Sequence, residues 1–280
     1  MLTNVNLRGN HIGDEAAAAL GEGLKVNAVL TNLHLYFNQI GDVGAAALGE
    51  ALKVNAVLNK LDLSWNNIGD TGVTALAEAL KFNAVLNTLN LDDFDLPIKQ
   101  LKGTEPVETL DFSRKGLGHL SGIVIAKCLE VNAVLTNLNI GDNKIGPTGA
   151  TALGDALKVN AVLTNLNIAN NDIGHTGATS LADALQVNKV MTNLNIAGNK
   201  IGDQGAAALG EGLKGNEGNE VLKVLDLSSN NIGDAGAAAL GEGLNGNAVL
   251  TTLRLEYNNI SDAGKTALSE RLNGNAVLET

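Results

Sequence analysis

Hydrophobic and polar positions along this chain repeat as one sentence. From Leu30 to Val57 the sequence reads LTNLHLYFNQIGDVGAAALGEALKVNAV, with leucines in alternation first and then an alanine and leucine run at helical spacing. A step of 28 residues brings the pattern back from Leu58, and the same step backwards finds it from Leu2. Beyond an irregular patch it returns from Val107, Leu135, Leu163, Met191, Leu222 and Leu250. A fixed period of this length marks a repeat architecture, in which each unit buries its apolar face only against its neighbours.

Within one unit, Leu33 and Leu35 predict a short strand with one buried face, His34 and Tyr36 pointing the other way. Asn38 follows and recurs as Asn10, Asn66, Asn143, Asn171, Asn199, Asn230 and Asn258. A carboxamide offers both donors and acceptors, so this column predicts an asparagine ladder that satisfies turning backbone and its copy in the next coil. Ile40, Gly41 and Asp42 then turn the chain, with Asp42 placed to cap a helix over about 43–53 that turns Ala47, Leu48 and Leu52 to the core. Asn55 ends that helix. It recurs as Asn27, Asn83, Asn132, Asn160, Asn188, Asn216, Asn247 and Asn275, a second column that predicts left-handed C-caps.

The pattern L-x-x-L-x-L-x-x-N-x-I followed by a helix resembles leucine-rich repeats. The 28-residue length resembles the ribonuclease-inhibitor-like subclass, as in NLR-type receptors and Ran GTPase-activating proteins. The resemblance covers essentially the whole chain. It implies an α/β fold, a leucine-rich repeat solenoid (horseshoe) with a parallel β-sheet on the concave face and α-helices on the convex face. It implies little about function, which sits in sites grafted onto a shared fold.

Ten repeats in residues 1–280 predict one elongated domain rather than the two globular ones that length alone suggests. The pattern breaks in the middle. Repeat four (86–106) is seven residues short, carries Phe94 in the asparagine place and replaces the helix with DLPIKQLKGTEP, punctuated by Pro97 and Pro106. Repeat five (107–134) puts Lys115 on the ladder and His119 at the helix start. These two form a seam between 1–91 and 135–280, read either as purely structural or as a partner-binding notch. Ten coils with nine outer helices are expected, repeat four lacking its own. Repeat eight gains three residues in GNEGNEV, a polar bulge that loops tolerate cheaply. At the ends, Leu2 starts repeating at once, Lys265, Ser269 and Arg271 hint at a weak cap, and Leu278 opens another unit, as in a segment of a longer protein.

Hydrophobic content is 45% but aromatic content only 2%, so the core is expected to be leucine, alanine and valine, and each large aromatic is informative. A net charge of −11 excludes the electrostatic capture of nucleic acid or anionic membrane and points to a basic protein partner. One cysteine, Cys128, permits no internal disulfide, and no run of about 20 apolar residues or signal-type segment occurs. A reduced, cytoplasmic setting is expected. The sequon at Asn259 falls inside a repeat turn and reads as chance.

Candidate chemistry is sparse. Gly264-Lys265-Thr266 has the tail of a phosphate loop but lacks its leading glycine, and Gly264 is the repeat glycine seen as Gly44 and Gly72. His11, His34, His119 and His175 lie in different repeats without metal spacing, and Cys128 stands where Ala51 and Ala79 stand, a place for a small buried thiol. No catalytic residue, cofactor or metal is expected. Acidic residues do gather on sheet-facing positions: Asp62, Asp92, Asp93, Glu108 and Asp111. Of seven aromatics, Phe112 reads as core, Phe82 replaces a valine near a helix end, and Tyr36, Phe37, Trp65 and Tyr257 all fall just after a strand. The partner-binding site expected is therefore His34, Tyr36, Phe37, Asp62, Trp65, Asp92 and Asp93, with Arg254, Glu256 and Tyr257 a secondary contact across the arc. The function expected is a non-catalytic protein–protein interaction scaffold binding on the concave face. The alternatives are a GTPase-activating protein resembling the Ran-directed family, whose acidic tail is absent here, and the ligand-sensing repeat segment of an intracellular NLR-type immune receptor. Uncapped leucine rows at both ends also predict homo-oligomerisation.

Overall fold

In the computed structural model of the chain, residues 2–214 and 219–272 are described. Each repeat becomes a three-residue strand and a helix: β1 Asn4–Asn6, α1 Asp14–Val26, β2 Asn32–His34, α2 Asp42–Leu52, β3 Lys60–Asp62, α3 Asp70–Leu80 and β4 Thr88–Asn90. The irregular stretch holds β5 Asp95–Pro97, α4 Ile98–Leu101, β6 Thr109–Asp111 and α5 His119–Leu129. Then come β7 Asn137–Asn139, α6 Gly146–Val159, β8 Asn165–Asn167, α7 Gly174–Val187, β9 Asn193–Asn195, α8 Gly202–Gly212, β10 Val224–Asp226, α9 Asp234–Leu244, β11 Thr252–Arg254 and α10 Asp262–Leu272.

The chain divides into two compact units, 1–107 with 120–132, and 108–119 with 133–280, so the division passes through repeat five. In the first unit the sheet runs β1-β2-β3-β4-β5; in the second it runs β6 to β11 in order. Every strand except β5 pairs in parallel register with its own copy, Leu33 with Leu61 and Leu61 with Leu89, because matching spacing gives matching turns. Between the strand row and the helix row lies a thin leucine core. Leu33, Leu35, Ile40, Leu48 and Leu52 are at most 1% exposed, and Ala45 rather than Ala47 completes the helix face.

Repeat four departs from expectation twice. It keeps a helix, though only the single turn of α4, and β5 pairs antiparallel with β4, so the sheet of the first unit is not wholly parallel. The shortened segment doubles back on the strand row instead of crossing to a full helix.

The ladder works as the asparagines imply. Asn171 is 0% exposed; its Nδ2 donates to the carbonyls of Ile140, Ile168 and Ala169, and its Oδ1 accepts from Ile145 N–H. One amide thus ties its own turn to the preceding coil. The second column differs from expectation: Asn27, Asn160 and Asn188 have φ of −79°, −73° and −72°, extended rather than left-handed. Here the side chain acts. Asn55 Nδ2 donates to Leu24 and Asn27 carbonyls in the previous coil, while Oδ1 accepts from Val57 and Leu58 N–H groups. In repeat eight this role belongs to Asn219, which reaches the Leu185 carbonyl at 2.8 Å; Asn216, Asn275 and Leu278 lie outside the described residues.

Helix capping also crosses between coils. Asp42 does not cap its own helix; its Oδ1 accepts the N–H groups of Gly69 (2.7 Å) and Gly72 (3.0 Å) at the start of the next one. Asp14 serves Gly41 and Gly44, and Asp203 serves Gly233 and Gly236, in the same way. The close approach explains Gly72, whose added Cβ would lie 2.6 Å from Asp42 Cα. Where the preceding coil offers His119, Pro147 or His175 instead, the next starting glycine swings to φ of +63° (Gly146), +61° (Gly174) or +60° (Gly202), and its N–H bonds the following coil's backbone.

Candidate functional site

One turn position, just before the ladder asparagine, holds a left-handed backbone in every repeat, from Gly9 (φ 68°) and Asp93 (φ 61°) to Asn170 (φ 53°) and Gly198 (φ 67°). Glycine, asparagine and aspartate suit it. Phe37 (φ 56°), Trp65 (φ 55°) and Tyr257 (φ 59°) do not, since a bulky side chain with positive φ is a conformational outlier. All three are solvent-facing, at 60%, 59% and 89% exposure.

In the first unit the aromatics touch. The Tyr36 ring lies 6.1 Å from Phe37 and 6.5 Å edge-on from Trp65, and the Arg8 guanidinium sits 4.6 Å over Tyr36. Trp65 Nε1 donates to both oxygens of Asp93 at 2.8 Å. His34 Nδ1 is 3.8 Å from Asp62 Oδ2, while Ser64 Oγ donates to Asp62 Oδ1 at 2.7 Å. Beside Phe37 and Trp65 opens a recess of about 370 Å³ walled by His11, Gln39 and Asn67. In the second unit, Arg254 pairs with Asp226 at 3.5 Å, and Glu256 accepts from Ser228 Oγ at 2.9 Å beside Tyr257.

The Leucine Rich repeat family pattern matches residues 1–21, 26–49, 54–77, 131–154, 159–182, 187–210, 218–241 and 246–269, well over half of the chain. This chain is a leucine-rich repeat protein. The irregular stretch around repeats four and five is the part the match passes over. Among solved structures, the repeat chain is similar to the actin-binding site 2 of leiomodin-1 (16% identity, 63% of this chain and 86% of that one, TM-score 0.43). It is also similar to an internalin (inlF) from Listeria monocytogenes (19% identity, 99% of this chain and 86% of that one, TM-score 0.37). No curated protein sequence matches. The family assignment therefore rests on the repeats themselves.

Six of the seven residues expected at the first contact site, His34, Tyr36, Phe37, Asp62, Trp65 and Asp93, share one rim of the repeat sheet. Asp92 is turned elsewhere, accepting the Ser121 N–H at 3.2 Å in the first turn of α5. Arg8 escaped the sequence reading although it stands 28 residues before Tyr36, where the repeat register alone places it beside that ring. Also missed were the paired asparagines of β7, β8 and β9, which read Asn-Leu-Asn three times over and line the sheet face of the second unit.

Reactive groups stay bland. Cys128 is 1% exposed, and burial pushes its thiol up to about 12, so no thiolate is available as a nucleophile. Lys102, buried nearby, has its pKa lowered by desolvation and donates to the Asn83 carbonyl. Gly264 serves close packing, since a Cβ there would meet Asp234 Oδ1 at 2.2 Å, and Lys265 pairs with Asp262. Among the described residues no group of three or more His, Cys, Asp or Glu is arranged to hold a metal ion, and no helix is long and apolar enough to cross a membrane.

Proposed function

We propose that this leucine-rich repeat chain is a non-catalytic scaffold that binds a partner protein, and that Tyr36, Phe37 and Trp65 form the main contact, with His34, Asp62 and Asp93 around them. The observation that carries the reading is the backbone beneath Phe37 and Trp65, the two rings that Tyr36 packs against. A left-handed position tolerates glycine or asparagine freely and costs on the order of 1–3 kcal/mol for a strained residue, so bulky rings placed there and left in water serve something other than folding. Aromatic clusters of this kind act as binding hot spots because they bury large area with few rotamers to freeze. Asp62 and Asp93 beside the rings, within a chain of net charge −11, favour a basic partner. Tyr257, with Arg254 and Glu256, is a second contact on the same argument.

The 28-residue coil with a helix in nearly every repeat supports placing the chain in the ribonuclease-inhibitor-like subclass. A reducing, cytoplasmic setting is proposed on the single buried thiol. Self-association through the first strand is proposed on Leu2, 70% exposed beside the outer edge of β1; a concentration-independent monomer mass for the wild type in light scattering removes it. No observation of its own supports the GTPase-activating or immune-receptor alternative. The test of the main reading is parallel affinity capture on the wild type and Trp65→Ala. A genuine partner is retained by the first and weakened by about 2 kcal/mol or more on the second, with the melting temperature unchanged. Equal retention ends the reading, and a collapsed melting temperature makes Trp65 a core residue.

A further inference from the structure

The sheet face of the second unit carries an array that the aromatic site does not use. Because β7, β8 and β9 each read Asn-Leu-Asn, the outward positions form one column of Asn137, Asn165 and Asn193 and another of Asn139, Asn167 and Asn195. In-register pairing sets each amide beside its copy. The leucines between them are buried, and the amides line a recess of about 440 Å³.

The two columns are locked in opposite senses. In the second, each side-chain oxygen accepts the N–H two residues on: Asn139 from Gly141 at 3.0 Å, Asn167 from Ala169 at 3.1 Å, Asn195 from Ala197 at 3.0 Å. Anchoring the oxygen turns the NH2 group away from it as a donor, which Asn139 gives to the Asp111 carboxylate and Asn167 and Asn195 present to the recess. In the first column the nitrogens of Asn137 and Asn165 are occupied instead. Asn165 Nδ2 donates to Asn137 Oδ1 at 2.5 Å and to Thr164 Oγ1 at 3.1 Å, which leaves the Asn165 oxygen as the outward acceptor.

Charge is confined to the flanks. Asp111 stands on one side, and on the other Asp226 is neutralised by Arg254. An anionic ligand finds no unpaired cation lining the recess, and a sugar finds no aromatic ring there to take its apolar face. A peptide unit does match, since its carbonyl accepts from an amide NH2 and its N–H donates to an amide oxygen. Three strands 4.7–4.9 Å apart span about 10 Å, roughly three residues of extended chain at ~3.3 Å each. We propose that this face binds an uncharged, extended peptide segment by its main chain, with Asn167 and Asn195 donating to its carbonyls and Asn165 accepting from its N–H groups.

The test uses a variant the fold already tolerates. Asp111 and Asp226 occupy the same column and hold the Ser113 and Ser228 N–H groups at 2.8 and 3.0 Å, so Asn167→Asp with Asn195→Asp keeps the anchoring oxygen and replaces each donor by a charged carboxylate oxygen that repels a peptide carbonyl. A bead library of acetylated, amidated, uncharged random heptapeptides is selected against the full chain, and hits are titrated by fluorescence polarisation. The result expected is binding that weakens at least tenfold on the double variant and at least tenfold when one internal peptide amide is N-methylated, while Trp65→Ala binds as the wild type does. A library without binders better than about 1 mM, hits that bind the double variant equally, insensitivity to N-methylation at every internal amide, or displacement of the hits by maltohexaose overturns the proposal. Hits lost on Trp65→Ala instead belong to the aromatic site and overturn it too, so the two sites fail separately.

Discussion

Single residues here are best understood by what lies one coil away. Asn171 shows it: removing its side chain takes one of two donors from each of the Ile140, Ile168 and Ala169 carbonyls and leaves the buried Ile145 N–H without its acceptor. Asn171→Ala should cost about 3 kcal/mol or more in urea unfolding, whereas Asn10→Ala, whose amide donates to the exposed Arg8 carbonyl, should cost under about 1 kcal/mol. Trp65 behaves in the reverse way. Trp65→Gly replaces a bulky residue at φ 55° by the one that prefers it, so stability should stay level or rise by up to about 1 kcal/mol while partner binding is lost. A core tryptophan never responds like that.

At the scale of the element, the residue that decides how a helix starts belongs to the previous coil. Aspartate there accepts the two starting N–H groups and keeps the glycine extended; histidine or proline there forces the left-handed start seen at Gly146, Gly174 and Gly202. The chain contains its own control, because Ser261 replaces the glycine where Asp234 supplies the carboxylate, at 2.7 Å from its N–H. Gly202→Ser alone should therefore destabilise by about 1 kcal/mol, and the same substitution should become nearly neutral in a His175→Asp background. Additive thermal shifts from the two changes would refute this coupling across coils.

Across the molecule, the shortened fourth repeat brings α3 and α5 of the first unit into direct exchange. Lys81 joins Glu78 at 2.8 Å and also Glu130, and Lys127 joins Glu78 at 2.9 Å and Glu130 at 2.7 Å. Burial disfavours charge on each, but the opposing partners outweigh it: Glu78 is lowered from 4.5, and Lys81 and Lys127 are raised from 10.5. A lowered carboxylate contributes stability above its unfolded value and loses it as pH falls through the folded one. A raised lysine contributes below its unfolded value and loses it as pH rises through the folded one. The network should thus stabilise between about pH 4.5 and 10.5. Glu78→Gln should cost about 1 kcal/mol at pH 7, solvent screening of its part-exposed carboxylate included, and the gap between variant and wild type should close at both extremes. A gap that stays constant from pH 3 to 11 contradicts it.

The repeat by itself determined the coil, the 28-residue register, which leucines are buried and where the pattern fails at Phe94 and Lys115, because burial periodicity is a local property that a linear sequence displays. It also marked Tyr36, Phe37 and Trp65 as unusual by their scarcity. Stacking decided the rest. That Asp42 caps the next helix, that Asn55 works by its side chain, that Arg8 covers Tyr36 and that Asp92 turns to Ser121 all depend on atoms about 28 residues apart being brought within 3 to 5 Å. The positive φ at Phe37, Trp65 and Tyr257 is likewise set by closing the turn between strand and ladder, a constraint that their own residue types hide although glycine, aspartate and asparagine hold the same place in other coils.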